Sequence, residues 1–296
     1  MSRSRWGAYA AVALAAASWG TWPLWLRGEL PLPPIAQATV VLGTVGLVGL
    51  PFALVARARA RRQGPRRGAW LRLAGLVASD ACNYLLYFGA LAAGPVAAGV
   101  LSHYLTPVLL ALLAPRLLGD PRSRRALPGA AVALAGLALV VLTAPGATGG
   151  GGATVAAGLG AGSAIFYAIA VLLGRRMNAS REWTPIEAVA FHCLGSGILL
   201  APIEGQSLLR AEWMELVGLA IPACLLGIVG GTAFYWGLSR MPAAHAGVLT
   251  YLEPVVAVGV GAALLHEPLG VASLGGAALI LAAGLAVVTE PPSTSP

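Results

Sequence analysis

The sequence predicts an all-α integral membrane protein: ten transmembrane helices in two inverted five-helix repeats. Three observations predict it. The 296 residues are 58% hydrophobic and only 10% charged, with a mean hydropathy of +0.80. A soluble globular protein carries about 25% charged residues, so most of this surface must face lipid. Ten apolar runs follow one another, each near the roughly 20 residues a helix needs to cross a bilayer. Finally, residues 87–121 recur at 234–268, with ten of the 35 positions identical and no gap. The matches include Leu91/Leu238, Pro95/Pro242, Tyr104/Tyr251, Pro107/Pro254 and Pro121/Pro268, and Asp120 answers Glu267. Turn residues and mid-run prolines recurring in register mark a true internal repeat.

The runs lie at 6–26, 33–56, 69–93, 95–116, 126–143, 154–174, 185–203, 213–239, 242–265 and 269–289. Lengths like these exclude soluble strands, and lipid-facing barrel strands would alternate in polarity. The first run exceeds the apolar stretch of a secretory signal and more runs follow, so it is expected to remain as helix 1. Pro23, Pro107, Pro222 and Pro254 fall inside runs. Each removes a backbone N–H and bends its helix, and a freed carbonyl can serve a substrate. Gly43, Gly46, Gly158, Gly162, Gly227 and Gly231 suit close helix approach. Trp6, Trp70, Trp183 and Trp213 suit interfacial belts. The uncharged, glycine-rich residues 144–154 join the halves, 1–147 and 148–296. Five spans per half is odd, so the second half enters from the opposite side, which makes the repeats inverted. The tail PPSTSP after Glu290 is expected to be disordered.

Every Lys or Arg in the chain is an arginine, and 17 of the 19 fall on one side if the N-terminus is cytoplasmic. Seven lie between residues 57 and 72, and only Arg27 and Arg210 fall outside. The positive-inside rule then puts both termini in the cytoplasm, here of a bacterial inner membrane. Topology accounts for the net charge of +8, so nucleic acid is not an expected partner. Cys82, Cys193 and Cys224 occupy separate apolar runs without CxxC spacing and are expected as small buried hydrophobes.

Ionisable groups at membrane depth cost about 2.5–3.5 kcal/mol each on insertion scales, so they mark either function or a satisfied internal bond. Asp80 and Glu253 lie near the middle of helices 3 and 9. His103, His192 and His245 lie in or near runs, and a neutral histidine bonded to one carbonyl is the commonest structural case. His103, beside Tyr104 and near Pro107, is the strongest of them and is expected to face Asp80. Trp19, Trp22 and Trp25 on helix 1, Tyr84 and Tyr87 on helix 3, and Phe166 and Tyr167 on helix 6 offer ring faces with polar tips, which suit amphipathic small molecules. The expected substrate cavity therefore comprises Trp19, Trp22, Asp80, Tyr84, Tyr87, His103, Tyr104, Phe166 and Tyr251. Glu253 is the expected proton-coupling group, because its equivalent in the first half is the uncharged Thr106. Enzyme and cofactor motifs are absent: there is no Walker loop, no HExxH and no metal-ligand set, and His266-Glu267 stands alone. The Asn178 sequon falls in an expected cytoplasmic loop.

Several short stretches together resemble the EamA-type drug/metabolite transporters: Ser18-Trp19-Gly20 in helix 1, and Tyr84, Tyr87, Ala90 and Leu91 in helix 3. To these are added Tyr104-Leu105-Thr106-Pro107-Val108 in helix 4, Tyr251-Leu252-Glu253-Pro254-Val255 in helix 9, and His266-Glu267-Pro268 after it. Gly119-Asp120 departs from the Gly-Glu usual at the end of the first repeat. The resemblance spans nearly the whole chain. It implies a permease of ten helices, working as monomer or homodimer by alternating access. It also implies export of small organic metabolites such as amino acids, without a cofactor. A lipid or lipid-precursor flippase and an integral membrane enzyme using Asp80, Glu253 and the histidines are the alternative readings.

Overall fold

The computed structural model describes residues 3–25, 32–60, 67–143, 147–179, 182–266 and 269–291. Among these every regular element is helical and none is a strand. The first apolar run gives α1 (Arg3–Trp19), then a turn at Gly20 and Thr21, then the one-turn α2 (Trp22–Trp25). Next come α3 (Pro34–Arg59), α4 (Arg67–Ala93), α5 (Val96–His103), α6 (Thr106–Leu117) and α7 (Ala126–Leu142). The second half supplies α8 (Ala153–Ala179), α9 (Pro185–Leu200), the short α10 (Gly205–Arg210) and α11 (Trp213–Pro222). A π-helical stretch, Ala223–Gly230, leads into α12 (Gly231–Leu238), followed by α13 (Ala243–Thr250), α14 (Leu252–Leu265) and α15 (Val271–Val288).

Seven spans among the described residues are long and apolar enough to cross a membrane. They are α3, α4, α5 with α6, α8, α11 through α12, α13 with α14, and α15, while α7 and α9 are shorter apolar helices. The outer surface is what lipid requires. Leu47, Phe52, Leu71, Ile198 and Leu285 are each at least 60% exposed, and water would not tolerate so continuous an apolar surface. The interior is packed largely with alanine and glycine, which let helix backbones approach closely.

Helices pair across the halves: α3 on α9, α4 on α8, α7 on α15, α1 on α12 and α6 on α13. Close approach fixes the register of several pairs. A Cβ on Gly136 of α7 would lie 2.6 Å from the Gly276 carbonyl of α15, and a Cβ on Gly46 would lie 2.5 Å from the Leu194 backbone. Gly162, Gly227 and Gly231 also face neighbours closely, whereas Gly158 has open space and no packing role. Trp6, Trp70 and Trp213 are exposed, as an interfacial belt needs. Trp183 is not: it is 2% exposed, packed edge-on against Trp70 and beneath the Arg57 guanidinium. The Arg57–Glu187 and Arg72–Glu182 ion pairs close the same corner, and Glu187 also caps α9 with Thr184.

The end of the bundle that carries both termini is tied by polar contacts. The Glu290 carboxylate accepts from the Ser123 hydroxyl, from the Arg124 N–H at 2.8 Å and from His245 Nε2 at 3.1 Å. Since the carboxylate only accepts, His245 carries its proton on Nε2, and its Nδ1 takes the Tyr9 hydroxyl at 2.5 Å. Arg5 donates to the Glu290 carbonyl at 2.6 Å. Asp120 accepts from the Ala243 N–H at 2.8 Å and pairs with Arg175 at 3.3 Å. The Pro23 side chain, Arg27, the linker residues 144–146, Ser180, Glu267 with Pro268, and the tail 292–296 lie outside the described residues.

Candidate functional site

Between the halves lies a cavity of about 390 Å³. On α3 it reaches from Gln37 to Val45, and on the first span it meets Trp19 and Trp22. On the second half it reaches Val189 in the second turn of α9 and Tyr235 near the end of α12, so it runs through the middle of the bundle.

One face of α4 supplies its most polar wall. Asp80, Asn83, Tyr84 and Tyr87 are spaced three, four and seven residues apart, so all four project together. Opposite them, the break between α5 and α6 brings in His103, Tyr104 and Thr106. Pro107 cannot donate to the carbonyl four residues back, that of His103. The Thr106 hydroxyl takes over, donating to it at 2.9 Å. The freed carbonyl of the first half is thus satisfied within the protein and is not left for a substrate. In the second half Glu253 occupies the position equivalent to Thr106, in the first turn of α14 beside the Tyr104 side chain.

His103 is held firmly. Its Nδ1 lies 2.8 Å from the Ser163 hydroxyl, which donates to Asn83 Oδ1 at 2.7 Å. The hydroxyl proton is committed to Asn83, so Nδ1 carries an N–H and donates. The ring stacks on Tyr167 at 5.6 Å and tilts against Tyr87 at 4.3 Å. Trp19 donates from Nε1 to the Leu226 carbonyl at 3.1 Å and packs on Phe234. That carbonyl belongs to the π-helical stretch, a form frequent at functional sites.

Eight of the sequence-derived residues line the cavity: Trp19, Trp22, Asp80, Tyr84, Tyr87, His103, Tyr104 and Glu253. Phe166 and Tyr251 do not. Tyr167, next to Phe166 and turned about 100° from it around the helix, is the lining ring. Tyr251 is fully buried, stacked on Tyr104 at 5.5 Å, with its hydroxyl donating to the Tyr104 carbonyl at 2.7 Å. His103 and Asp80 line the same cavity, but the hydrogen-bond partner of His103 is Ser163. The histidine facing Asp80 is His192 on α9, 3.7 Å away. His245 belongs to the tied end, and His266 is exposed. The sequence reading missed Asn83, Ser163, Tyr235 and Gln37. Asn83 alone had a visible signal, its place on the Asp80–Tyr84–Tyr87 face.

Residues 6–142 and 154–289 each match the family model described as EamA-like transporter family, one match to each half of the chain. No curated protein matches the chain. Among matching solved structures, one described only as "Crystal structure of protein" is 26% identical, with a TM-score of 0.75 over 94% of this chain and 95% of that one.

Proposed function

The chain belongs to the EamA-like transporter family, and we propose that it is a secondary transporter exporting small organic metabolites such as amino acids by alternating access. The observation that carries this reading is a cavity lined from both halves. At about 390 Å³, with apolar and aromatic walls interrupted by a few polar groups, it suits one small molecule.

Two inverted five-helix halves, 1–147 and 148–296, are supported by how equivalent residues meet. Shifting by 147 residues turns the α7–α15 contact between Gly136 and Gly276 into one between Ala283 and Gly129, and a Cβ on Gly129 would lie 3.6 Å from the Ala283 carbonyl. The same shift exchanges the α4–α8 pair with the α12–α1 pair. Tyr104 and Tyr251, also 147 apart, touch each other. A two-fold relation between halves requires the first two, and the third puts this tyrosine pair beside the axis. The arginine bias supports cytoplasmic termini in an inner membrane. The tied end is then the cytoplasmic one.

In this reading the ring faces of Trp19, Trp22, Tyr84, Tyr87 and Tyr104 hold the substrate's apolar part, while Asp80 and His103 address its polar groups. Glu253 carries the coupled proton. The test is uptake and counterflow by the purified chain in proteoliposomes against a panel of amino acids, nucleosides and lipid probes, with and without a pH gradient. Saturable movement of a small solute supports the reading. Movement of the lipid probes alone, or of nothing in the panel, would overturn it.

A further inference from the structure

Glu253 is not the only acid in the cavity, and the second one has surroundings that do not balance. Asp80 on α4 is 7% exposed, and its Oδ2 has no hydrogen-bond partner. Facing it on α9 is His192, with Nε2 at 3.7 Å, beyond hydrogen-bond reach. The other ring nitrogen fixes the tautomer. Nδ1 lies 2.7 Å from the Ala188 carbonyl, which only accepts, so Nδ1 carries a proton. A neutral imidazole has one N–H. Neutral His192 therefore turns a lone pair toward an ionised Asp80 that can only accept as well. Asp80 Oδ2 is buried without a donor, and neutral His192 cannot supply one.

One added proton resolves the conflict. It makes the pair either imidazolium with carboxylate or imidazole with carboxylic acid, and in both forms Nε2 and Oδ2 can close into a hydrogen bond. The Ser196 hydroxyl on α9 lies beside Asp80 but donates to the Val77 carbonyl at 3.2 Å, so its single proton is committed there. The titratable groups turned toward the pair are Cys193 on α9, Tyr84 on α4, Tyr167 on α8, Tyr235 on α12 and, more remotely, Glu253 on α14. Cys193 Sγ is 3.5 Å from Nε2, and a thiol is a weak donor. The α3 wall brings Gln37 and apolar side chains, the π-helical stretch brings Gly227, and among the described residues no arginine lines the cavity.

We infer that Asp80 and His192 form a one-proton site in the cavity wall, distinct from Glu253. That the proton travels with each transport cycle rests on the function proposed above. That the site exists does not.

The test uses the full chain in lipid nanodiscs with no solute, labelled with ¹⁵N-histidine and ¹³C-aspartate, followed by NMR from about pH 5 to pH 9. At neutral pH one member of the pair reads protonated, and the two groups titrate as one shared step. Asp80→Asn moves the His192 midpoint by about one pH unit or more, and His192→Gln does the same to Asp80, as expected for charges this close. Should a variant fail to fold, the wild-type chain decides alone. Neither group protonated at any pH, or two unrelated midpoints, overturns the inference. So does a shift under about 0.3 pH unit in either variant, well below the one-unit coupling that defines interacting sites. These outcomes are independent of the proteoliposome assay, so either can fail without the other.

Discussion

Glu290→Gln isolates the network that ties the terminal end. The carboxylate accepts from the Ser123 hydroxyl, the Arg124 N–H and His245 Nε2, and its side chain is 12% exposed. A hydrogen bond to a charged group contributes about 1.5–3 kcal/mol net. The amide keeps one acceptor oxygen and turns an NH₂ toward donors, so the expected loss is about 2–4 kcal/mol. Partial burial pushes the Glu290 carboxyl up, but the bonds from Ser123, Arg124 and His245 together outweigh it and leave it lowered from 4.5. The sign follows. A lowered folded value means the ionised form stabilises the fold, fully so above the unfolded value, and this stability is lost as pH falls through the folded value. Chemical unfolding of the purified chain in detergent should therefore show the wild type more stable at pH 7.5, with the gap to Glu290→Gln closing below about pH 4.5. Running the same pair in a His245→Gln background removes that histidine's own titration. A gap that stays constant from pH 7.5 to pH 3.5 refutes the reasoning.

Glu253→Gln keeps size and hydrogen bonding but cannot titrate, and should cut accumulation driven by a pH gradient at least tenfold in proteoliposomes holding equal amounts of protein. Undiminished pH-driven accumulation removes Glu253 from coupling. Tyr251→Phe strips the Tyr104 carbonyl of its donor inside the bundle, and should cost about 1–3 kcal/mol in unfolding experiments; no measurable change would mean water or another donor replaces it. Gly136→Leu forces α7 from α15, where even a Cβ lies 2.6 Å from a carbonyl. It should lower stability by about 1–3 kcal/mol, while Gly158→Leu, which meets open space, should change it by under about 0.5 kcal/mol.

The helices were legible because membrane-spanning runs are long and apolar, and each predicted run overlaps a helix or a broken pair of helices, though α1, α3, α4, α6 and α8 pass the predicted ends. The interruptions at Tyr104 and Tyr251 were foreshadowed by Pro107 and Pro254, since a proline disturbs a fixed place in its helix. What escaped was the rotation and pairing of helices. Around α8 the residues are apolar on every side, so no gradient of polarity told Tyr167 from Phe166. That His103 would meet Ser163, and Asp80 would meet His192, depends on which helix lies against α4. That choice is made by glycine and alanine contacts distributed over the whole bundle, for which single-chain periodicity carries no signal. Trp183 was misjudged for a related reason: its place beside a run suited an interfacial ring, but Trp70 and Phe191 enclose it.

The contact between Tyr104 and Tyr251 bears on descent. If the chain arose by duplication, its ancestor was a single half that worked by pairing with a copy of itself, and this tyrosine then met its own counterpart. In such an ancestor no substitution could fall on one side alone. An acid at the position of Thr106 and Glu253 would have come twice, placing two like charges beside the same axis. Fusion into one chain removed that constraint. Thr106 could then serve the bend at Pro107 while Glu253 took on a charge, two tasks that one gene encoding a symmetric pair could not have divided.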